Sequence, residues 1–232
     1  MLNMNTTLWN DTYDALNEEG YAILPDLITK QDCENLIEMY GDSSKYRSII
    51  NMQRYRFGKG EYKYFSYPLP SVIQSIRESV YEGLAPLANE WMQKLSIDIE
   101  YPIHHADFVA QCHNKNQNRP TPLILQYETG GFNTLHQDLY GEVYFPFQVV
   151  IALTQDGRDH TGGELVLTEQ VPRAQSKAEV IRTKQGNAII ITTNFRPMKG
   201  TRGYYRSNMK HGVSEVKSGR RYALGIIFHD AV

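Results

Sequence analysis

The spacing of hydrophobic positions changes near the middle of the chain. Up to about residue 100 they recur at helical intervals; beyond it they come in short runs cut by Gly, Asn and Pro. Residues 8–18 and 30–41 are expected to be helices. In the second, Cys33, Leu36, Ile37 and Tyr40 share a face, and Thr29 stands where an N-cap belongs. Between them, YAILPDL reads as a short strand that turns at Pro25. Residues 69–96 predict a longer helix, its apolar positions running from Val72 through Ile76, Val80, Leu84 and Leu87 to Trp91 and Leu95, with Pro86 kinking or splitting it. After residue 100 the runs TPLILQYE, FPFQVVIALT, GELVLTE, NAIIITT and RYALGIIFH have the length and spacing of strands in an all-β sandwich or barrel. The expected class is α+β, a jelly-roll core backed by N-terminal helices. No repeat or low-complexity linker divides the chain. A single domain over 1–232 is expected, with mainly helical support over 1–100 and the jelly-roll core over 101–230.

Charge narrows the partners. The 232 residues carry 24 basic and 26 acidic side chains, so no overall basic field draws nucleic acid, although local patches can. Cys33 and Cys112 are too few for a disulfide framework and read as free thiols in a reducing compartment. No signal-like or membrane-spanning run is visible, so a soluble, cytoplasmic protein without a membrane partner is expected. The 16 tyrosines cluster in part with Arg and Lys. Three segments with little core periodicity are expected to wall or cover a pocket: RYRFGKGEYKYFSYPLP from Arg54, QCHNKNQNRPTP from Gln111 and RPMKGTRGYYRSNMK from Arg196. The third runs straight into His211 and is therefore expected to approach the site.

The candidate chemistry lies in GGFNTLHQDLYGE. His136 and Asp138 are two apart, so on a strand they point the same way. Gly130-Gly131 provides a turn into that strand. His211 is the third candidate. Two histidines and one carboxylate can occupy one face of a six-coordinate iron and leave the other open for O2. An isolated H-x-D occurs often by chance, and the chain holds a second, His105-Ala106-Asp107. That one lacks a Gly-Gly turn and precedes the strand series, so it is set aside. Arg220 and Arg221 follow His211 at a similar distance. Arg221 shares a strand face with the small Ala223 and Gly225, whereas Tyr222, Leu224, Ile226 and Phe228 form the bulky face. Room for a ligand is therefore on the side of Arg221, and Arg220 is read as a solvated charge. His229-Asp230 is read as a terminal surface pair.

Taken together these stretches resemble the Fe(II)- and 2-oxoglutarate-dependent oxygenase superfamily, most closely over residues 125–228. GYAILPDLITKQDCENLIEMY is similar to the strand–helix opening of prolyl-hydroxylase-like and phytanoyl-hydroxylase-like members. TGGELVL and QGNAIII resemble the strands between the metal motifs, and HGVSEVKSGRRYALGIIF resembles the ending of distal histidine, Gly-x-Arg and final strand. Tyr127, in QYETGGFNTLHQD, is similar to a tyrosine of AlkB-like and prolyl-hydroxylase-like sites. The resemblance implies a double-stranded β-helix with iron held by His136, Asp138 and His211. It also implies 2-oxoglutarate anchored by Arg221 through its Gly-x-Arg pattern, with Tyr127 adding a phenol hydrogen bond or serving as a core tyrosine. O2 is the second cosubstrate, and succinate and CO2 are released. One arginine after the distal histidine departs from the pair found in AlkB-type repair enzymes. The implied activity is thus hydroxylation of a small-molecule or protein substrate. The alternatives are oxidative demethylation of nucleic acid and a catalytically silent jelly-roll binding protein.

Overall fold

The computed structural model describes residues 6–232. Helix α1 (Thr6–Glu19) leads to strand β1 (Tyr21–Leu24) and helix α2 (Lys30–Met39). Thr29 and Asp32 close a reciprocal capping box at the start of α2, each side chain accepting from the other residue's backbone N–H. Residues 46–65 form β2 (Tyr46–Asn51), β3 (Gly58–Lys59) and β4 (Glu61–Phe65). Helix α3 (Ser71–Lys94) runs unbroken through Pro86. Pro86 and Glu82, the residue whose carbonyl loses its helical partner, are both exposed, so that carbonyl sits on the wet side of the helix.

Helix α4 (His105–Asn114) was not expected from the periodicity. It carries the first H-x-D, and on a helix positions i and i+2 point to opposite sides. His105 is buried with Nε2 2.9 Å from the Phe228 carbonyl oxygen, while Asp107 is exposed. The two cannot share an ion.

Ten strands follow: β5 (Leu123–Glu128), β6 (Phe132–His136), β7 (Phe147–Ala152), β8 (His160–Gly162), β9 (Leu165–Gln170), β10 (Lys177–Ile181), β11 (Ala188–Thr192), β12 (Phe195–Gly200), β13 (Gly203–Val213) and β14 (Val216–Ile227). They build the two antiparallel sheets of a jelly roll. The larger runs β1-β11-β7-β14-β5-β4-β2, with β8 on β14, and the smaller runs β10-β9-β13-β6-β3, with β12 on β13. Strands β1 to β4, from the first hundred residues, therefore complete the edges of both sheets. Alternation along β14 divides its side chains as the sequence suggests. Tyr222, Leu224, Ile226 and Phe228 pack in the main core with Ile76, Val80 and Trp91 of α3. Arg221, Ala223 and Gly225 face a cavity between the sheets.

Two of the three pocket segments are placed elsewhere. Residues 196–210 form the β12–β13 hairpin and none of them lines the cavity. The tip at Gly203 is eight strand residues from His211, roughly 26 Å at the usual strand rise. Arg196 is buried against Glu169, Nε to Oε1 2.8 Å. The segment from Gln111 ends α4, and Gln117 is a buried brace that donates to the Val143 and Asp230 carbonyls. Only the segment from Arg54 borders the cavity, through Phe57 and Tyr62.

Candidate metal centre

Pairing of β6 with β13 sets His136 directly opposite His211, with ring centroids 4.2 Å apart. Asp138 lies just past the end of β6, so strand alternation is not what aims it. It reaches the same point from the loop, with Oδ1 3.6 Å from His136 Nε2 and Oδ2 3.2 Å from His211 Nε2. One donor atom from each of the three lies within 4.8 Å of the others. Gln137 pins the loop by donating to the Asn194 and Met209 carbonyls. The ladder shifts register between His211 and Val213, and a Cβ on the intervening Gly212 would stand 2.7 Å from the Asn133 carbonyl oxygen.

Electrostatics suit a divalent cation. His136 Nδ1 is 2.7 Å from the Thr134 carbonyl oxygen, so it carries the proton and leaves the Nε2 lone pair toward the centre. Burial, then the neighbouring His211, pulls the His136 pKa down and keeps the ring neutral. Burial would push Asp138 up, but His211, His136 and the Tyr140 phenol together hold it well below the usual carboxylate range. Tyr140 Oη donates to Asp138 Oδ1 at 2.5 Å, a length typical of a hydroxyl on an ionised oxygen. His211 Nδ1 faces the Gln148 amide at 3.5 Å.

The cavity beside this cluster has a volume of about 210 Å³ and holds two unpartnered polar atoms. Arg221 and Tyr127 pair across β14 and β5, with the guanidinium carbon 5.5 Å from the phenol ring centroid. Both are buried; Arg221 Nη1 makes no hydrogen bond, and Tyr127 Oη makes none of ordinary geometry, although the Asn133 side chain stands near it. Burial lowers the Arg221 pKa and raises that of Tyr127 to about 12, so the phenol stays protonated. A buried cation with a free donor beside a free hydroxyl is costly unless an anion joins them. Gly163 makes room for the arginine stem, since a Cβ there would lie 2.7 Å from Arg221 Cδ. Arg220 is on the outer side, paired with Glu128 at 2.9 Å. The donor set and these two orphaned atoms fit an iron ion and a dicarboxylate. The rest of the wall is mostly apolar, including Met52, Phe57, Leu123, Leu125 and Leu165. Sequence reasoning missed Tyr140, Gln148 and Gly163. Tyr140 alone had a signal, its position two residues after Asp138.

Residues 60–231 match the Oxygenase-NA family, described as "Oxygenase, catalysing oxidative methylation of damaged DNA". Two uncharacterized proteins of Mycobacterium tuberculosis, from strains CDC 1551 / Oshkosh and ATCC 25618 / H37Rv, are each 46% identical over 167 residues, 72% of this chain and 72% of theirs. Among solved structures, the fold is similar to a Trichoplax adhaerens prolyl hydroxylase in complex with a hypoxia inducible factor peptide, with 14% identity, TM-score 0.63 and coverage of 95% of this chain and 88% of that one. A Pseudomonas putida prolyl-4-hydroxylase gives 11% identity, TM-score 0.57 and coverage of 97% and 99%. A 2OG-Fe(II) oxygenase family oxidoreductase from Burkholderia pseudomallei gives 14%, 0.56 and coverage of 100% and 95%. The chain belongs to the Oxygenase-NA family, and its fold is similar to that of prolyl hydroxylases and of a 2OG-Fe(II) oxygenase family protein.

Proposed function

We propose that His136, Asp138 and His211 hold the iron and that Arg221 and Tyr127 hold 2-oxoglutarate. The enzyme would then hydroxylate a C–H bond of an uncharged group that enters the apolar part of the cavity. The observation that carries this reading is the pair of orphaned atoms, Arg221 Nη1 and Tyr127 Oη, in the cavity beside the three ligands. Bound iron and 2-oxoglutarate supply the oxidising power, one atom of O2 ending in succinate and the other in the product. The chain's residues have separate tasks. The Thr134 carbonyl fixes the tautomer and tilt of His136. The planar fork of Arg221 would hold the distal carboxylate, which a lysine could meet only as a point charge. Met52, Leu123 and Leu125 keep water from the reacting face. Under nitrogen, Fe(II) plus 2-oxoglutarate is expected to give a visible charge-transfer band that His136→Ala or Asp138→Ala abolishes. Failure of the wild-type protein to bind 2-oxoglutarate would sink the reading.

A second reading, that the substrate is nucleic acid, is favoured by one loop. Tyr55 and Phe57 are exposed and stacked, centroids 5.5 Å apart at 18°, with Arg54, Arg56 and Lys59 around them and Phe57 bordering the cavity. Exposed rings among cations suit bases and phosphates. This favours nucleic acid over the small-molecule or protein substrate expected from the sequence, in line with the family's description. Salt-sensitive binding of single-stranded oligonucleotide, weakened about tenfold or more by Tyr55→Ala/Phe57→Ala, is expected on this reading. No binding at low salt would remove it.

A further inference from the structure

We infer that Tyr140 is a positioning residue that keeps the Asp138 carboxylate bound to the metal through one oxygen and so keeps a coordination position open. The inference rests on the iron site proposed above. The carboxylate stands between the histidines with both oxygens turned to them, Oδ1 at 3.6 Å from His136 Nε2 and Oδ2 at 3.2 Å from His211 Nε2. Nothing in the three ligands themselves prevents both oxygens from joining the metal. A carboxylate bound through both would fill four positions of a six-coordinate ion together with the histidines. Two would then remain, whereas a chelating cosubstrate and O2 need three.

Tyr140 is the group that breaks this symmetry. Its phenol donates to Oδ1 at 2.5 Å, committing a lone pair of that oxygen and leaving Oδ2 free to bind the metal. The ring is itself held in place. It packs edge-on against Tyr64, centroids 6.2 Å apart, and lies 6.1 Å from the His229 ring. Tyr64 in turn lies under the Arg47 guanidinium, 4.4 Å from its centroid. The phenol therefore cannot swing away without disturbing two strands.

The test uses Mn(II) as the probe, because water proton relaxation counts the open positions on that ion. Wild type, Tyr140→Phe and Tyr64→Phe are loaded with Mn(II), without cosubstrate, and the relaxivity per bound ion is measured with the binding constant. Tyr140→Phe retains the ring and its packing, and circular dichroism verifies the fold. Tyr140→Phe should lose about a third of the relaxivity, one of three bound waters, with Mn(II) affinity within a few-fold of wild type. Tyr64→Phe should keep the full relaxivity. A crystal of the Mn(II) form of Tyr140→Phe should show both Asp138 oxygens on the metal. Unchanged relaxivity with affinity weakened tenfold or more would overturn the inference and leave Tyr140 as a mere orienting contact. A wild-type protein that binds Mn(II) no better than His136→Ala would instead bring down the metal site itself, and this inference with it.

Discussion

Tyr127 carries a hydroxyl that its own protein leaves unpartnered, and this gives the residue two opposed effects. In the free enzyme the buried phenol costs stability, since an unmet buried hydroxyl is unfavourable by about 1–3 kcal/mol. In the complex it gains an anionic partner. Tyr127→Phe should therefore leave the free protein as stable or more stable in urea, while weakening 2-oxoglutarate about tenfold by titration of the charge-transfer band. A core tyrosine would leave 2-oxoglutarate binding unchanged. Gly163 tests the same site from behind. At φ +71°, and with Arg221 Cδ 2.7 Å from where a Cβ would sit, alanine must push the arginine aside. Gly163→Ala should raise the KM for 2-oxoglutarate several-fold and cost about 1 kcal/mol or more of stability. Iron affinity should not move, because His136 and His211 are on β6 and β13 and Asp138 is on the loop after β6, away from the turn that holds Gly163. Asp138 and Arg221 were legible as residue types at particular spacings. Gly163 was not, because a close approach between distant strands leaves no mark on the local sequence.

At the scale of elements, α1 is docked through a glycine. A Cβ on Gly83 of α3 would come within 1.9 Å of the Trp9 ring, and the Tyr13 hydroxyl donates to the Gly83 carbonyl at 2.5 Å. In an ordinary exposed helix Gly→Ala stabilises by about 1 kcal/mol. Gly83→Ala should destabilise instead, because the indole has to leave its seat, and the sign should revert in a Trp9→Ala background. Urea unfolding of the four proteins of that cycle measures it. Helix α3 itself was plain in the sequence, since its buried stripe from Ile73 to Trp91 packs in the main core and follows the helical period closely. Helix α4 was hidden because it buries only His105, Phe108 and Cys112, too few apolar positions to show a period. Strand β4 was hidden for another reason. Tyr62 lines the cavity and Tyr64 packs on the same face against Leu123 and Ile227, while the intervening Lys63 is buried on the other face beneath the Tyr40 ring at 3.9 Å, so aromatic and basic residues that read as pocket or lid material are parts of a sheet. Basic and aromatic composition marks a ligand-facing segment only when the fold turns it to the cavity. The Arg54 segment meets that condition and the β12–β13 hairpin does not.

Over the whole molecule, the closing seam between β14 and α3 ties stability to pH. Arg77, fully buried, donates to the Ile227 and Phe228 carbonyls and pairs with Asp230 at 2.7 Å. The terminal His229-Asp230 pair, expected at the surface, is thus wholly inside. Burial first, then Arg77, pushes His105 down to about 4 and His229 down to about 3. In the unfolded chain both would titrate near 6.5. As pH falls below that value, these two rings take up protons in the unfolded state that they refuse in the folded one, and buried His160, also lowered by its burial and by Arg221, adds to the effect. Stability is therefore full above about pH 7 and declines with acid, with a slope approaching about 2.7 kcal/mol per pH unit near pH 5. Asp230 is held below its ordinary range despite its burial, chiefly by Arg77, so its contribution persists until more acid conditions and is lost below about pH 4. Urea unfolding from pH 8 to 4.5 should show this decline. It is best read on the metal-free His136→Ala/Asp138→Ala/His211→Ala protein, where the candidate ligands add no protons of their own. His105→Gln or His229→Gln should each remove about half of the part of the slope that this pair contributes, at some cost in absolute stability from the lost contacts. A profile flat between pH 7 and 5 would mean that the two rings reach water in the folded state and that the seam is looser than its hydrogen bonds indicate.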